Sequence, residues 1–304
     1  MSGIDVTASG DIGAQKNNGA MRVSIMITTS NRLKELQRTL QMLEKLDPAP
    51  DEILITADGC ADGTAEFVTS AVPNVQLVVN QPAQGSVGSR DQMMRAAQGD
   101  LVLALDDDSY PEQLDCMARI VPFFEHRPKL AVLHFPQRSD EYPETLAETN
   151  PSSEHLTRSF ANSGAVLRRA TYLQLAGFEP RFYHMYEEPD YGLQCAATGY
   201  DVLFSPVVTI RHHYSGHARD EIRIHHCHAR NELWSTLMRC PFPFAFGILA
   251  WRVVSQFRYA CKRGWCWVGR EPLWWAQALA GVPHCLRNRK PVSWSSYKRW
   301  LALP

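Results

Sequence analysis

Three consecutive aspartates follow directly on an apolar run in this chain. The segment Leu101 to Pro111 reads LVLALDDDSYP, so Asp106, Asp107 and Asp108 stand where a buried strand should end. Carboxylates this close repel one another, and burying them costs free energy unless a positive group neutralises them. A bound divalent cation is the simplest such group. The competing interpretation is a solvated acidic loop that caps a helix starting near Pro111, since aspartate is common in turns and at helix N-termini.

A second acidic group lies in the segment EEPDYGLQ. Its members Glu187, Glu188 and Asp190 are close enough in sequence to raise one another's proton affinity. A carboxylate with a raised pKa is suited to accept a proton near neutral pH, so this segment is a candidate general base. The competing interpretation is a helix N-terminus enriched in acids, which the helix dipole favours and which is compatible with catalysis.

Six of the eleven histidines crowd into the segment 212–228. The spacing i, i+4 of His213 and His217 suggests a separate zinc site, but the Ser-Gly pair between them argues against the helix that this spacing needs. Three of the others are interpreted as packing residues or as groups near a bound substrate, namely His225, His226 and His228.

Apolar runs alternate with helical patterns from Arg22 onward. The strands and helices that they predict determine where the acidic residues lie. Near-continuous apolar runs predict buried strands at Val23 to Thr28, Glu52 to Ala57, Val75 to Asn80, Leu101 to Leu105, Ala131 to Phe135, Gly164 to Leu167 and Val207 to Ile210. Helices are predicted from Leu33 to Leu46 with Asn31 as N-cap, after Gly63, from about Gly88 to Ala97, after Arg169 and from about Glu187. Strands joined in this way indicate a parallel sheet covered on both faces, and such sheets bind ligands beyond the carboxyl ends of their strands. The three aspartates follow the carboxyl end of such a strand, which favours a binding site over a solvated acidic loop.

The composition allows one large domain, or one domain plus a smaller appendage. The chain has 304 residues, 45% hydrophobic content and a formal net charge of -1. This balance gives no global attraction for polyanions, so no nucleic-acid partner is expected. The eight cysteines contain no C-x-x-C pair. That argues against a zinc ribbon or a disulfide framework and favours reduced thiols in a cytoplasmic protein.

The two ends of the chain differ from its middle. Residues 1–20 lack the features of a secretory signal and are interpreted as a flexible extension. All eight tryptophans lie between Trp234 and Trp300, among many arginines and lysines. We therefore place a boundary near residue 220, with one domain over 21–220 and a helical appendage over 221–304.

One segment of the appendage, Pro241 to Cys261, is the closest to a membrane span. It contains Arg252, Gln256 and Arg258, which argues against a spanning helix and permits a helix lying in an interface. The aromatic and basic residues of the tail fit packing on the domain, a second subunit in a homo-oligomer, or a membrane surface equally well.

Several segments at predicted strand ends, taken together in order, resemble one enzyme family. They are TTSNR (Thr28 to Arg32), ADGCADGT (Ala57 to Thr64), QGSVGSRD (Gln84 to Asp91), the three aspartates, NSGAVLRRATYLQLAGF (Asn162 to Phe178), EEPDYGLQ (Glu187 to Gln194) and RHHYS (Arg211 to Ser215). This pattern resembles family 2 inverting glycosyltransferases over roughly Arg22 to Ser215. The tail, with HARNELW (His228 to Trp234), is similar to bacterial members that build cell-surface polysaccharides, of the rhamnosyl- or galactofuranosyl-transferring type.

The resemblance implies the GT-A fold, an α/β fold with a Rossmann-like mixed sheet and helices on both faces. Its nucleotide-sugar half would cover 21–110 and its acceptor half 111–220. The family's D-x-D motif matches Asp106 and Asp108 as cation ligands, and Asp107 between them is expected to shape the loop. His212 is the better match to the family's metal-binding histidine, with His213 as the alternative. Oxygen ligands favour Mg²⁺ or Mn²⁺, and an added imidazole favours Mn²⁺.

The resemblance also implies roles in transfer. Glu188, the second member of the acidic pair after Glu187, would be the base, with Asp190 as the alternative. The donor would be a UDP- or dTDP-linked hexose or deoxyhexose. Residues expected to contact it are Thr28, Asn31, Arg32, Asp58, Arg90, Asp106 and Asp107. Arg230 is interpreted either as a contact to the diphosphate or as a member of a structural ion pair.

One motif departs from the family. Members commonly read D-D-G-S where this chain has Ala57, Asp58, Gly59 and Cys60, so one acid and the serine are missing. The departure leaves the choice between UDP and dTDP open, and it is the best support for an alternative, a non-catalytic nucleotide- or sugar-binding scaffold. A nucleotidyltransferase would need a glycine-rich basic loop after the first strand, which TTSNR is not.

The expected acceptor is the hydroxyl of a glycan or a lipid-linked glycan. Such acceptors predict a cytoplasmic enzyme that associates peripherally with the inner face of the membrane.

Overall fold

The computed structural model describes residues 21–72, 75–147, 153–213 and 220–304. The extension predicted for residues 1–20 and the histidine at position 217 lie outside these ranges. The described strands are β1 (Val23–Thr29), β2 (Glu52–Asp58), β3 (Val75–Asn80), β4 (Leu101–Asp106), β5 (Ser109–Pro111), β6 (Leu130–His134), β7 (Gln137–Ser139), β8 (His155–Leu156), β9 (Ala165–Arg168), β10 (Asp201–Phe204) and β11 (Ile210–His212).

The helices alternate with these strands and then follow them. They are α1 (Leu33–Leu43), α2 (Thr64–Ala71), α3 (Gly85–Ala96), α4 (Cys116–His126), α5 (Arg169–Gln174), α6 (Glu187–Thr198), α7 (Glu221–Arg239), α8 (Phe244–Arg263), α9 (Trp265–Val268), α10 (Glu271–Arg287) and α11 (Trp294–Leu301). Among the described residues, none of these helices has both the length and the apolar character needed to cross a membrane.

The central sheet has eight strands in the order β3-β2-β1-β4-β9-β6-β10-β8. Strands β1 to β4 pair in parallel, but β9 runs antiparallel to both β4 and β6. The sheet is therefore mixed, as in the GT-A fold, and the parallel sheet indicated by the apolar runs holds only for part of it. A buried apolar run reports burial on both faces and does not report strand direction.

The two faces of the sheet bury alternate residues of the same strands. On one face, Ile25 and Leu103 pack with Leu36 and Leu40 of α1. On the other face, Met26 belongs to a separate buried cluster that contains Met93 and Met94 of α3. Helices on both faces thus hold the strand ends in place.

Three local predictions differ from the structure. Pro111 lies in β5, and α4 begins only at Cys116, so a strand and not a helix follows the aspartates. Of the strand predicted at Val207 to Ile210, only Ile210 is in a strand, because the backbone pairs with β5 and β7 from that residue onward. Arg32, not Asn31, is the N-cap of α1.

The helices after residue 220 continue the core of the sheet. Trp234 and Met238 of α7 and Cys285 of α10 lie in the same buried cluster as Met26 and Leu54. The tryptophans divide between packing and exposure, since Trp234, Trp274 and Trp300 are buried while Trp251 and Trp265 are 66% and 89% exposed.

Candidate active site

A small second sheet brings the aspartates and a histidine together. Strand β4 ends at Asp106, whose backbone N–H donates to Ser109 Oγ at 2.9 Å and so closes the turn into β5. Strand β5 pairs antiparallel with β11, and this register sets His212 opposite Ser109. A histidine about a hundred residues further along the chain therefore lies beside Asp108.

Asp106, Asp108 and His212 form a group that could hold a metal ion. One ligand atom from each lies within 4.8 Å of the others, and His212 Nε2 is 3.1 Å from Asp108 Oδ1. His213 faces elsewhere, since its ring nitrogens lie 2.9 Å from Tyr110 Oη and 3.4 Å from an Asp140 oxygen. The geometry thus groups His212, and not His213, with the aspartates, as the resemblance implies.

Two arginines and His212 face the three aspartates. Arg90 Nη2 lies 2.5 Å from Asp106 Oδ1, and Arg32 pairs with both Asp107 and Asp108. Burial acts to raise the pKa of Asp108, but the hydrogen bond and charge of His212, together with the charge of Arg32, hold that pKa below its usual value. Asp108 is therefore ionised near neutral pH and has the charge that a cation ligand needs.

Asp107 differs from its neighbours because its side chain is buried and turned inward. It accepts a hydrogen bond from Thr29 Oγ1 at 2.8 Å, and its carbonyl accepts one from Thr39 at 2.8 Å. Burial raises the pKa of Asp107 to about 8, against the opposing charge of Arg32. These contacts favour a loop-shaping role over the expected contact with a donor.

Arg90 joins the two acidic clusters. Its Nη1 lies 2.7 Å from Glu187 Oε1, while its Nη2 holds Asp106. The same Glu187 oxygen accepts from Asn162 Nδ2 at 3.2 Å. A single buried guanidinium thus places the acids of α6 next to those of β4.

Glu188 has a raised pKa, as a group that exchanges a proton needs. Burial, and then the charge of Glu187, raise the pKa of Glu188 to about 8, and the charge of Arg90 opposes them. A carboxylate with such a pKa can take up a proton near neutral pH.

Asp190, the alternative base, is fully engaged. Arg239 Nε and Nη2 donate to its two oxygens at 3.1 and 3.0 Å, Ser235 Oγ donates at 2.7 Å and Gln194 Nε2 at 2.9 Å. These partners tie α6 to α7. The arrangement favours Glu188 over Asp190 as a base and gives Asp190 a structural role.

The loop before α6 has an unusual backbone, and the sequence reasoning did not identify the residue that holds it. Tyr183, Met185 and Tyr186 have φ values of 65°, 71° and 75°, a left-handed region that costs non-glycine residues free energy. Asn231 of α7 is fully buried, and its Nδ2 lies within 3.0 Å of the carbonyl oxygens of Phe182, His184 and Met185. The available signal was an asparagine in the interior of a helix, where it is a poor helix former.

Arg230 has uncharged partners in the structure, and its predicted contact to the diphosphate stays a prediction. It donates to the carbonyl of Phe182 at 2.8 Å and lies 4.6 Å from the ring of Trp234. Among the described residues no carboxylate pairs with it, so the structural ion pair is not observed.

Other residues that are expected to contact the donor lie at the strand ends, and two of them already accept hydrogen bonds from the backbone. Asp58 accepts from the backbone N–H groups of Gln84 and Gly85, both at 2.8 Å, and so holds the start of α3. Asn31 accepts from the backbone of Ala61 at 2.7 Å. Thr28 lies opposite Asp106 in the register of β1 and β4.

The remaining histidines form no second metal group within the described ranges. His225 Nε2 lies 2.9 Å from Glu271 Oε1, and burial lowers the pKa of His228 to about 4 beside the ring of Tyr186.

Comparison with known proteins gives one family and a consistent set of folds. The model of the family described as "Glycosyl transferase family 2" matches residues 24–188, more than half of the chain. The uncharacterized glycosyltransferase YwdF of Bacillus subtilis is 26% identical over 205 residues, which cover 64% of this chain and 75% of that protein. Poly-beta-1,6-N-acetyl-D-glucosamine synthase of Staphylococcus aureus is 26% identical over 113 residues, which cover 36% of this chain and 27% of that protein.

Two solved structures share the fold. The mannosyltransferase PcManGT from Pyrobaculum calidifontis, in complex with GDP-Man and Mn²⁺, has a TM-score of 0.59 at 17% identity, covering 86% of this chain and 76% of its own. TarS 1-349 of S. aureus, in complex with UDP-GlcNAc, has a TM-score of 0.58 at 15% identity, covering 87% and 81%. At these identities the likeness establishes the architecture alone.

Proposed function

From the premise that this chain belongs to glycosyl transferase family 2 and is a glycosyltransferase, we propose that it transfers a sugar from a nucleoside-diphosphate donor to a hydroxyl with inversion, in a cation-dependent reaction. The observation that carries this proposal is the contact of Arg90 with both Asp106 and Glu187. Because of it, the cation-ligand set and the acid pair lie in one site.

Glu188 is the proposed general base. In the reaction, the acceptor O–H gives its proton to the Glu188 carboxylate as its oxygen bonds to the anomeric carbon. The bond from that carbon to the diphosphate breaks, and the electron pair leaves with the nucleoside diphosphate. Attack from the face opposite the leaving group inverts the configuration. Arg90 and Asn162 hold Glu187, whose charge helps to keep Glu188 basic.

Asp106, Asp108 and His212 are the proposed ligands of a divalent cation. The donor set fits, since it offers two carboxylates and an imidazole within 4.8 Å and Asp108 is held in its ionised form. When bound, Mn²⁺ or Mg²⁺ would neutralise the charge that develops on the departing diphosphate.

Donor recognition is proposed to use the ends of β1 and β4 and the start of α3. Thr28, Arg32 and Arg90 lie there, and the arginines carry the charge that a diphosphate requires. We retain UDP or dTDP as the nucleotide. The fold-related proteins were solved with UDP- and GDP-sugars, so a direct test has to cover all classes.

The proposed acceptor is a glycan or a lipid-linked glycan, reached from the surface of a membrane. Helix α8 exposes Trp251 beside Arg258 and Lys262, and Trp265 at the start of α9 is also exposed. Exposed aromatic rings with adjacent cations suit the headgroup region of an anionic bilayer. The narrower proposal, a rhamnosyl- or galactofuranosyl-type transferase on the cytoplasmic face, rests on the resemblance of the tail.

A thermal-shift panel tests the donor proposal. UDP-, dTDP-, GDP- and CMP-linked sugars are each added with Mn²⁺ and with EDTA, since a ligand that binds the folded state raises the melting temperature. One nucleotide class should stabilise the protein with Mn²⁺ and not with EDTA, and turnover should release nucleoside diphosphate. Folded protein that no donor stabilises would contradict the proposal, and release of pyrophosphate would indicate nucleotidyl transfer instead.

A further inference from the structure

A polar cavity of about 450 Å³ lies outside the proposed cation and base residues. It is bounded by the start of α7, the start of α10 and the loop at Tyr183. Three arginines line it, namely Arg223, Arg230 and Arg270, together with His226 and Leu273. None of these residues belongs to the cation-ligand set or to the acidic pair.

Two of the three arginines of this cavity have uncharged partners within the described ranges. Across the part of the chain that the structure describes, no carboxylate lies within ion-pair distance of any of the three. Arg223 lies 5.6 Å from the ring of Tyr183, and Arg230 donates to uncharged oxygens, including that of Phe182. The acid in the lining, Asp220, accepts from the first backbone N–H groups of α7. The cavity therefore carries an excess of positive charge, which calls for an anionic ligand.

His226 adds a second observation that points to a ligand. The residue is 8% exposed, and its Nε2 is buried with no hydrogen-bond partner among the described residues. A buried polar atom without a partner costs free energy unless a bound group satisfies it. Leu273, which is 58% exposed, adds an apolar wall. The site thus combines several donors for oxyanions with a short hydrophobic surface.

We propose that this cavity binds a phosphoryl group carried by the acceptor, either the phosphate of a prenyl-type lipid or a phosphate on a soluble glycan. The assignment to the acceptor rests on the proposed glycosyl transfer, whereas phosphate binding itself does not. Arg230 contacts the carbonyl of Phe182, which begins the loop leading to Glu187 and Glu188. A phosphate anchored here would therefore fix the acceptor relative to the base.

Calorimetric titration with inorganic phosphate in the presence of EDTA tests the site separately from the cation-dependent donor site. The double variant Arg223→Gln/Arg270→Gln changes two exposed side chains, and Arg287→Gln/Lys129→Gln removes the same charge elsewhere. We expect the first variant to bind phosphate at least about tenfold more weakly than the wild type, because two charge-assisted contacts are lost. The control variant should bind normally. No phosphate binding by the wild type, or equal loss in both variants, would overturn the proposal.

Farnesyl monophosphate distinguishes the two sources of the phosphate. Binding tighter than that of inorganic phosphate, with the gain lost in Leu273→Ser, would assign the site to a lipid phosphate, and equal affinity would assign it to a soluble phosphate. Donor binding with Mn²⁺ is measured on the same variants. If the donor binds and phosphate does not, only this inference fails; if the donor does not bind, the proposed function fails whatever the phosphate result.

Discussion

The acids that follow β4 and the acids that open α6 carry the same functional group in two electrostatic settings. The three aspartates face Arg32, Arg90 and His212, and the pKa of Asp108 is lowered. In α6, Glu187 and Asp190 each have an arginine, whereas Glu188 has a raised pKa. The comparison teaches that burial raises the pKa of an acid unless close positive groups outweigh it: His212 and Arg32 do so for Asp108, whereas Arg90 does not for Glu188.

Replacing Glu188 by Gln should have the largest effect, since it removes the proposed proton acceptor. We expect kcat to fall by about 10²- to 10⁴-fold, the usual contribution of a general base, while donor affinity stays within a few fold. Release of nucleoside diphosphate measures the rate and a thermal shift measures the affinity. Glu125→Gln, an exposed change in α4, is the matched control. A fully active Glu188→Gln enzyme would remove Glu188 from the base role.

Replacing Asp108 by Asn tests the proposed cation site, and replacing the adjacent Asp107 by Asn is the matched comparison. Loss of a charged ligand should weaken cation-dependent donor binding by about 10- to 100-fold. Asp107→Asn should have a much smaller effect, because burial already favours the neutral form of Asp107. Titration of Mn²⁺ at fixed donor concentration gives both values. An equal response of the two variants would mean that the cluster does not hold a cation through Asp108.

The pH profile follows from the raised pKa of Glu188. A general base works when deprotonated, so kcat/KM should rise about tenfold per pH unit below that pKa and level off near pH 8. A bound cation would shift the profile to lower pH. The residual activity of Glu188→Gln should lack this rise; the same profile in that variant would assign it to another group.

Replacing Asn231 by Leu removes the amide that holds the left-handed loop before α6. We expect about a tenfold loss in kcat with an unchanged KM for the donor, because small displacements of a catalytic group slow the reaction. The apparent pKa of the pH profile should also move, which a change of stability alone would not produce. Asn288→Leu, an exposed change at the end of α10, is the control. Equal changes in both variants, or a changed donor KM, would contradict the positioning role.

The smallest expected effect is on stability. The pKa of Glu188 is raised on folding, so the folded chain binds more protons between about pH 4.5 and pH 8, and stability falls as pH rises through that window. Glu188→Gln should therefore raise the melting temperature by a few degrees at pH 8 and hardly change it at pH 4. If the Glu188→Gln variant melts at a lower temperature than the wild type at pH 8, the ionised form of Glu188 does not destabilise the folded protein.

The sequence predicted the positions of the first three strands well, because each coincides with an apolar run. β1, β2 and β3 were placed to within one residue. β1 is fully buried, whereas β3 is a partly buried edge strand that its apolar run was still enough to locate. It missed the direction of β9, the short β5 and the true position of β11, which depend on pairings between distant segments. In the candidate site, residue types indicated which acids and which histidine could act. They did not reveal which acids already have partners, so Asp58 and Asp107 were expected to contact the donor and Asp190 remained the alternative base.

The shared core of the sheet and the C-terminal helices has an evolutionary consequence. Arg239 binds Asp190 of α6, and Asn231 binds the loop before α6. Both residues that hold α6 in place therefore belong to α7. A substitution in α7 can thus alter turnover without touching either substrate. Because residues in contact are energetically coupled, we expect substitutions in α7 and α6 to be accepted together more often than singly.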